Sequence, residues 1–247
     1  MITKIKNLIN EYRSNHKYIK SKLHEVQLQN KELEWAHIFH DSIRGKEWLE
    51  ELPLNVGRWA GNYSFFYILN RILNDFQPKA ILDLGLGESS KFISAFLNNQ
   101  LLESLHTIVE QDADWVANFQ KTNSLSQRSK IVCCPLVTTE VNGFLSNVYK
   151  DFNTKIIDKF DLIIVDGPFG SDRFSRYDVV SLIERMEATD EFIILIDDTH
   201  RKGEQDTLHD IICKLKVKKL AFSIGQYHGT KSNTIIATKK YKLATSL

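Results

Sequence analysis

The sequence predicts a doubly wound α/β fold: a seven-stranded sheet, mostly parallel with the last strand antiparallel, and a helical extension at the N-terminus. Three observations predict it. From residue 79 onward, short and almost wholly apolar runs alternate with amphipathic stretches, as parallel strands and crossover helices do. A glycine-rich turn follows the first run, and three later runs end in a carboxylate. In such sheets ligands gather at the carboxyl ends of the strands.

Residues 1–40 contain neither Gly nor Pro, and Ile5, Tyr12, Ile19, Val26 and Leu33 recur at seven-residue spacing. The companion column, Leu8, Asn15, Lys22 and Gln29, is mostly polar, so a strong zipper is not expected. The segment reads as one long helix that either caps the body or pairs weakly with a second chain in a homo-oligomer. Residues 41–78 read as a helical cap: an aromatic stretch around Trp48, a loop over 55–64, and a helix over 65–76 that Pro78 stops.

Residues 79–247 form the main domain. Strands are expected at 80–84, 106–110, 130–134, 160–166 and 192–197, with helices reaching Asn98, following Asp112, and spanning 206–216. Two last strands, near 219–224 and 234–238, flank the glycines at 225 and 229 and are expected to pair antiparallel.

Bulk properties exclude several classes. A formal charge of +1 gives no global field for a polyanion, so no nucleic-acid partner is expected. No apolar run reaches the roughly 18–20 residues of a membrane span. Residues 1–6, Met-Ile-Thr-Lys-Ile-Lys, lack the apolar stretch of a secretory signal. Cys133, Cys134 and Cys213 form neither a disulfide framework nor a metal-spaced set. A cytoplasmic protein is expected.

The sharpest motif is Asp83-Leu84-Gly85-Leu86-Gly87-Glu88-Ser89, followed by Glu110 at the end of the second strand. Glycines there let the backbone turn tightly beside a helix N-terminus, and a carboxylate at Glu110 can accept hydrogen bonds from both hydroxyls of a ribose. The chain resembles the class I S-adenosylmethionine (SAM)-dependent methyltransferases, which are Rossmann-like, through these residues over roughly positions 55–240. The resemblance implies SAM as cofactor, held by Asp83, Gly85, Gly87, Ser89 and Glu110. Ser89 stands where that family commonly has a third glycine, a departure that also argues against a dinucleotide fold.

Asp166 ends the fourth strand, and Asp197 with Asp198 ends the fifth. Three unpaired carboxylates would repel one another, and a divalent cation with oxygen ligands relieves that repulsion. The arrangement resembles the metal-dependent O-methyltransferases, including catechol O-methyltransferase and the enzymes that methylate sugars of macrolide and aminocoumarin antibiotics. By that resemblance Asp166, Asp197 and Asp198 are ligands of Mg2+ or Mn2+. The general base of those enzymes falls two or three positions after the first metal acid, where this chain has Pro168 and Phe169. Asp166 itself, His200 and His228 are the alternatives, and Asp198 reads equally as a cap or as an acid behind the ligands.

The stretch Asp166-Gly167-Pro168-Phe169-Gly170 also resembles the plant glucuronoxylan methyltransferase group. Both resemblances imply a sugar or glycan hydroxyl as acceptor. Arg173 and Arg176 are candidates for an acidic group on it. In the loop at 55–64, Arg58 is a candidate for the SAM carboxylate, and Trp59 and Tyr63 for stacking on a sugar ring or on adenine, the alternative being a lid packed by its own aromatics. Two other readings stay open: metal-independent methyl transfer to a small molecule, and a catalytically silent subunit of a polysaccharide-assembly complex.

Overall fold

In the computed structural model, which describes residues 2–247, the first element is α1 (Ile2–Ile43), a helix of 42 residues. Its first half stands clear of the body, since every described side chain from Lys4 to Gln27 is exposed. Contact begins near Leu28, and Trp35, Phe39 and Ile43 then join the core. In the expected heptad column Tyr12, Ile19, Val26 and Leu33 all face solvent; Ile5 lies outside the described side chains.

A single turn, α2 (Glu47–Glu50), leads to α3 (Tyr63–Phe76). The Asn62 side chain caps α3 by accepting a hydrogen bond from Phe65 N at 3.2 Å, which starts the helix two residues earlier than its apolar pattern alone suggests. Phe65, Phe66, Ile68, Leu69, Ile72 and Leu73 are all buried. A face this wide and apolar has to be covered, so residues 41–78 form a layer on the sheet rather than a cap over it.

The alternating region then follows: β1 (Ala80–Leu84), α4 (Glu88–Asn99), β2 (Leu105–Glu110), α5 (Ala113–Thr122) and β3 (Ser129–Cys133). After a hairpin, β4 (Leu136–Val141) with β5 (Phe144–Tyr149), come α6 (Phe152–Lys155), β6 (Leu162–Val165), α7 (Asp178–Arg185), β7 (Ile193–Ile196) and α8 (Lys202–Val217). The chain closes with β8 (Phe222–His228), β9 (Ser232–Thr238) and a 3-10 segment, Lys239–Thr245. The main sheet has seven strands in the order β3-β2-β1-β6-β7-β9-β8. It is parallel from β3 to β7, and β9 lies antiparallel to both its neighbours.

Alternation along the strands divides the core in two. Ile81, Ile164 and Leu195 pack with α3, α4 and the end of α1, whereas Leu82, Val165 and Ile196 pack with α7 and α8. The order of strands reverses between β1 and β6, and this switch point is where a doubly wound sheet opens a crevice.

Two local features differ from the sequence reading. The β4–β5 hairpin was not anticipated, although Asn142 (φ 50°) and Gly143 (φ 82°) form the two-residue turn that such a hairpin favours. It lies outside the main sheet and is largely exposed, so no apolar run announces it. β8 also runs through Gly225 instead of ending before it. A side chain at Gly225 would collide with the Thr245 backbone, so this glycine admits the C-terminal segment rather than breaking the strand.

Candidate active site

Register places four predicted residues on one rim. Leu84 pairs with both Val109 and Val165, and Val165 pairs with Ile196, so Gly85, Glu110, Asp166 and Asp197 are each the next residue out. Gly85 adopts φ 112°, and a Cβ there would sit 3.4 Å from Gly167 N. The glycine turn and the loop after β6 thus pack backbone against backbone, which a larger residue at Gly167 would prevent through Leu84 O and the Tyr149 hydroxyl.

On the turn side, the Glu110 carboxylate accepts from Leu86 N at 2.9 Å through Oε2, and from Gln111 N (2.7 Å) and Asp112 N (3.0 Å) through Oε1. Three of its four lone-pair sites hold the backbone, leaving one on Oε2 for a ligand hydroxyl. Beside it opens a cleft of about 410 Å3 lined by Gln111, Asp112, Ala113, Asp114, Leu136 and Phe169. A Cβ at Gly87 would meet nothing within 4 Å, so the turn faces open space.

Asp83 and Ser89 do not reach that space. Asp83 is wholly buried and accepts from the hydroxyls of Ser89 (3.0 Å) and Ser90 (2.7 Å), with His106 Nε2 3.7 Å away. Asp83 lies on the inner side of β1 toward α4, so a third glycine at position 89 would strip a buried carboxylate of a donor. This corrects the assignment of both residues to direct cofactor contact; they hold the turn from behind.

On the other side, Asp166, Asp197 and Asp198 bring one carboxylate oxygen each within 4.8 Å of one another. They are not unpaired, as the sequence suggested. Arg176 Nη2 lies 3.1 Å from both Asp166 and Asp198, and Arg176 Nε 3.7 Å from Glu204. Lys231 Nζ lies 3.3 Å from Asp197 and 3.5 Å from Asp198. Arg176 is buried, which corrects its assignment to an acceptor: its guanidinium is an internal counter-ion of the cluster.

Three buried acids (Asp197, Asp198, Glu204) and the partly exposed Asp166 face two buried cations, with half-exposed Arg201 on the rim 3.0 Å from Asp198. Burial, partly countered by Arg176 and reinforced by Asp197, pushes the Asp166 carboxyl up to about 8. Burial and the adjacent Asp198 likewise raise Asp197. Asp198 Oδ1 is buried with no hydrogen-bond partner among the described residues, its nearest cation being Lys231 Nζ at 3.5 Å. Carboxylate oxygens clustered within 4.8 Å and a buried oxygen without a hydrogen bond fit a hard divalent cation.

Lys231 is the residue that sequence reading missed. It follows Gly229 and Thr230 in the β8–β9 turn, where a lysine carries no signal of burial. Its ammonium also donates to Ala60 O at 2.9 Å, tying down the loop that bears Arg58 and Trp59, both exposed. A second missed residue is Glu32 on α1. Its carboxylate accepts from Asn62 Nδ2, Tyr63 N, Thr230 N and Thr230 Oγ1 at 2.8–2.9 Å.

The remaining predicted residues lie farther out. Tyr63 packs its ring on Phe39 and His40 of α1, so it is not free to stack on a sugar. Arg173 is paired with Asp206 and lies over the Phe144 ring at 4.2 Å, which corrects its assignment to an acceptor. His200 and His228 are exposed and flank Ser232, His228 Nδ1 lying 3.0 Å from Ser232 Oγ. His200 Nδ1 accepts from Ser232 N at 3.3 Å. A neutral ring held this way carries its proton on Nε2, the wrong tautomer for a base acting through that atom.

No family model matches the chain, and no curated protein matches it. Among solved structures it is similar to a candidate O-methyltransferase from Klebsiella pneumoniae (16% identity, 83% of this chain and 89% of that one, TM-score 0.46). It is also similar to the SAH-bound methyltransferase PaMTH1 of Podospora anserina (15%, 83% and 87%, TM-score 0.40). A third is precorrin-6y C5,15-methyltransferase of Geobacter metallireducens (12%, 77% and 95%, TM-score 0.46).

Proposed function

We propose that the chain is a SAM-dependent O-methyltransferase acting on a hydroxyl of a sugar or glycan, with Mg2+ or Mn2+ held by Asp166, Asp197 and Asp198. One observation carries the reading: the glycine turn and the carboxylate cluster share one rim, with Gly85 and Gly167 in backbone contact. A nucleoside cofactor on the turn and an acceptor at the carboxylates would be immediate neighbours, as in-line group transfer requires.

The chemistry supplied there is an activated methyl group from SAM and polarisation of the acceptor hydroxyl by the divalent cation. The chain's own residues do the binding and orienting. Glu110 Oε2 takes a ribose hydroxyl, and the cleft beside Gln111 and Phe169 takes the base. Arg58 is assigned to the cofactor carboxylate, and Trp59, 87% exposed, to the flat face of a sugar.

A second reading, transfer without a metal, is favoured by Arg176 and Lys231, two cations already paired with the four acids of the cluster. Asp166, with its carboxyl pushed up to about 8, then has the affinity of a general base near neutral pH.

Calorimetric titration with SAM and with S-adenosylhomocysteine tests the common part; absence of binding at millimolar ligand overturns both readings. Manganese binding, followed by the EPR signal of free Mn2+, separates them. Binding that Asp197→Asn abolishes supports the metal reading; methyl transfer that persists in EDTA, with no Mn2+ bound, supports the other.

A further inference from the structure

Helix α1 carries two apolar faces that point in opposite directions. Projected at about 100° per residue, the body-facing Leu28, Trp35, Phe39 and Ile43 fall within roughly 80° of arc. Leu8, Ile9, Tyr12, Ile19, Leu23 and Val26 fall within roughly 100° on the opposite side, interrupted only by His16. These six are 45–72% exposed, although together they run some 27 Å along the helix, about 1.5 Å per residue.

Charge is distributed unevenly around this outer stripe. Lys6, Arg13, Lys17 and Lys20 follow one edge, and Lys4 and Lys22 the other. All six are exposed. Acids in the same segment are Glu11 and Glu25, the latter paired with Lys22 at 2.6 Å. Asn, Ser and Tyr18 fill much of the remaining circumference.

We propose that this outer face of α1 docks on an anionic lipid surface, lying flat with its apolar stripe among the acyl chains and its basic edges at the headgroups. Charge complementarity selects this occupant. Two copies of the chain would bring six bases and two acids against the same set, and a helix–helix seam through this stripe would place His16 and Asn30 at core positions. A stripe this broad, with four bases along one edge and mixed charge along the other, suits a charged plane. Snorkelling lysines and arginine would keep their charges in water while their stems cover lipid. No helix of the described residues is long and apolar enough to cross a membrane. The proposal is independent of the reaction assigned to the strand-end rim.

Co-sedimentation of the full chain with vesicles tests it. Vesicles of phosphatidylcholine with about a third phosphatidylglycerol are expected to retain the protein at low salt, and phosphatidylcholine alone to bind it at least about tenfold more weakly. High salt should release it. Ile19→Glu with Leu23→Glu should abolish retention while leaving the thermal unfolding midpoint unchanged, since both side chains are exposed. Failure to bind anionic vesicles overturns the proposal. So does retention that survives the double substitution, or a stable dimer in sedimentation velocity that the substitution dissociates without any effect on vesicles.

Discussion

Glu32 and Thr230 are 198 residues apart in sequence, and two hydrogen bonds of 2.9 Å join the Glu32 carboxylate to the Thr230 amide and hydroxyl. The next residue, Lys231, reaches both Asp197 and the carbonyl of Ala60. The appended helix thereby fixes the turn that supplies the carboxylate cluster with a cation and the loop that presents Trp59. Glu32→Ala is expected to raise the acceptor KM severalfold and to weaken SAM binding by a smaller factor, because the same loop carries Arg58, with partial recovery in Glu32→Gln, which keeps one acceptor oxygen. Equal losses in both parameters would point to a general defect of folding instead.

Removing Lys231 should cost more without a divalent cation than with one. Lys231→Met leaves Asp197 without its cation, and breaking a buried pair of this kind costs about 3–5 kcal/mol. Thermal melts in EDTA and in Mn2+ measure the difference; a cation at the cluster should return part of the loss. Identical melting points in the two buffers would argue that no ion enters.

Gly87 has φ −169° and open space at its Cβ position, so Leu is sterically allowed there in the free protein. Gly87→Leu should fold normally, yet weaken SAM binding by about a hundredfold or more through steric exclusion, a loss of about 2.7 kcal/mol. Calorimetry beside a thermal melt checks both halves.

Ser89→Gly restores the glycine common in the resembling methyltransferases, but it is expected to harm this chain. Asp83 loses one of two hydroxyl donors in a buried site, at a cost of about 1–2 kcal/mol. Urea denaturation should register that loss without any gain in SAM affinity.

Asp178 gives a pH signature away from the rim. Burial lifts its carboxyl from the ordinary 3.8 to about 7; Oδ1 accepts from Tyr149 N at 3.0 Å, while Oδ2 has no hydrogen-bond partner among the described residues. The folded state therefore binds more protons than the unfolded one between about pH 4 and pH 7, and this group's contribution to stability falls as pH rises through that window. Asp178→Asn should remove that slope and raise the melting temperature by a few degrees at pH 8, with a smaller effect at pH 4. Differential scanning calorimetry across the range tests the sign.

Much of this protein is written locally. Apolar runs that must be covered on both faces predicted the parallel strands and their order of appearance, and the residues that end those runs predicted the rim: Gly85, Glu110, Asp166 and Asp197. Such features depend on neighbours in sequence, so the sequence alone determines them. What tertiary structure decided is which polar groups are already taken. Arg176 and Arg173 look equivalent in sequence, yet one is sealed among carboxylates and the other lies over Phe144. Asp83 and Ser89 turn inward because β1 presents that side to α4. Lys231 and Glu32 become part of the site only because a terminal hairpin and an N-terminal helix meet over the ends of β6 and β7. Partner choice for a charged side chain is set by contacts between distant segments and by the solvent they exclude, and neither is encoded in local spacing.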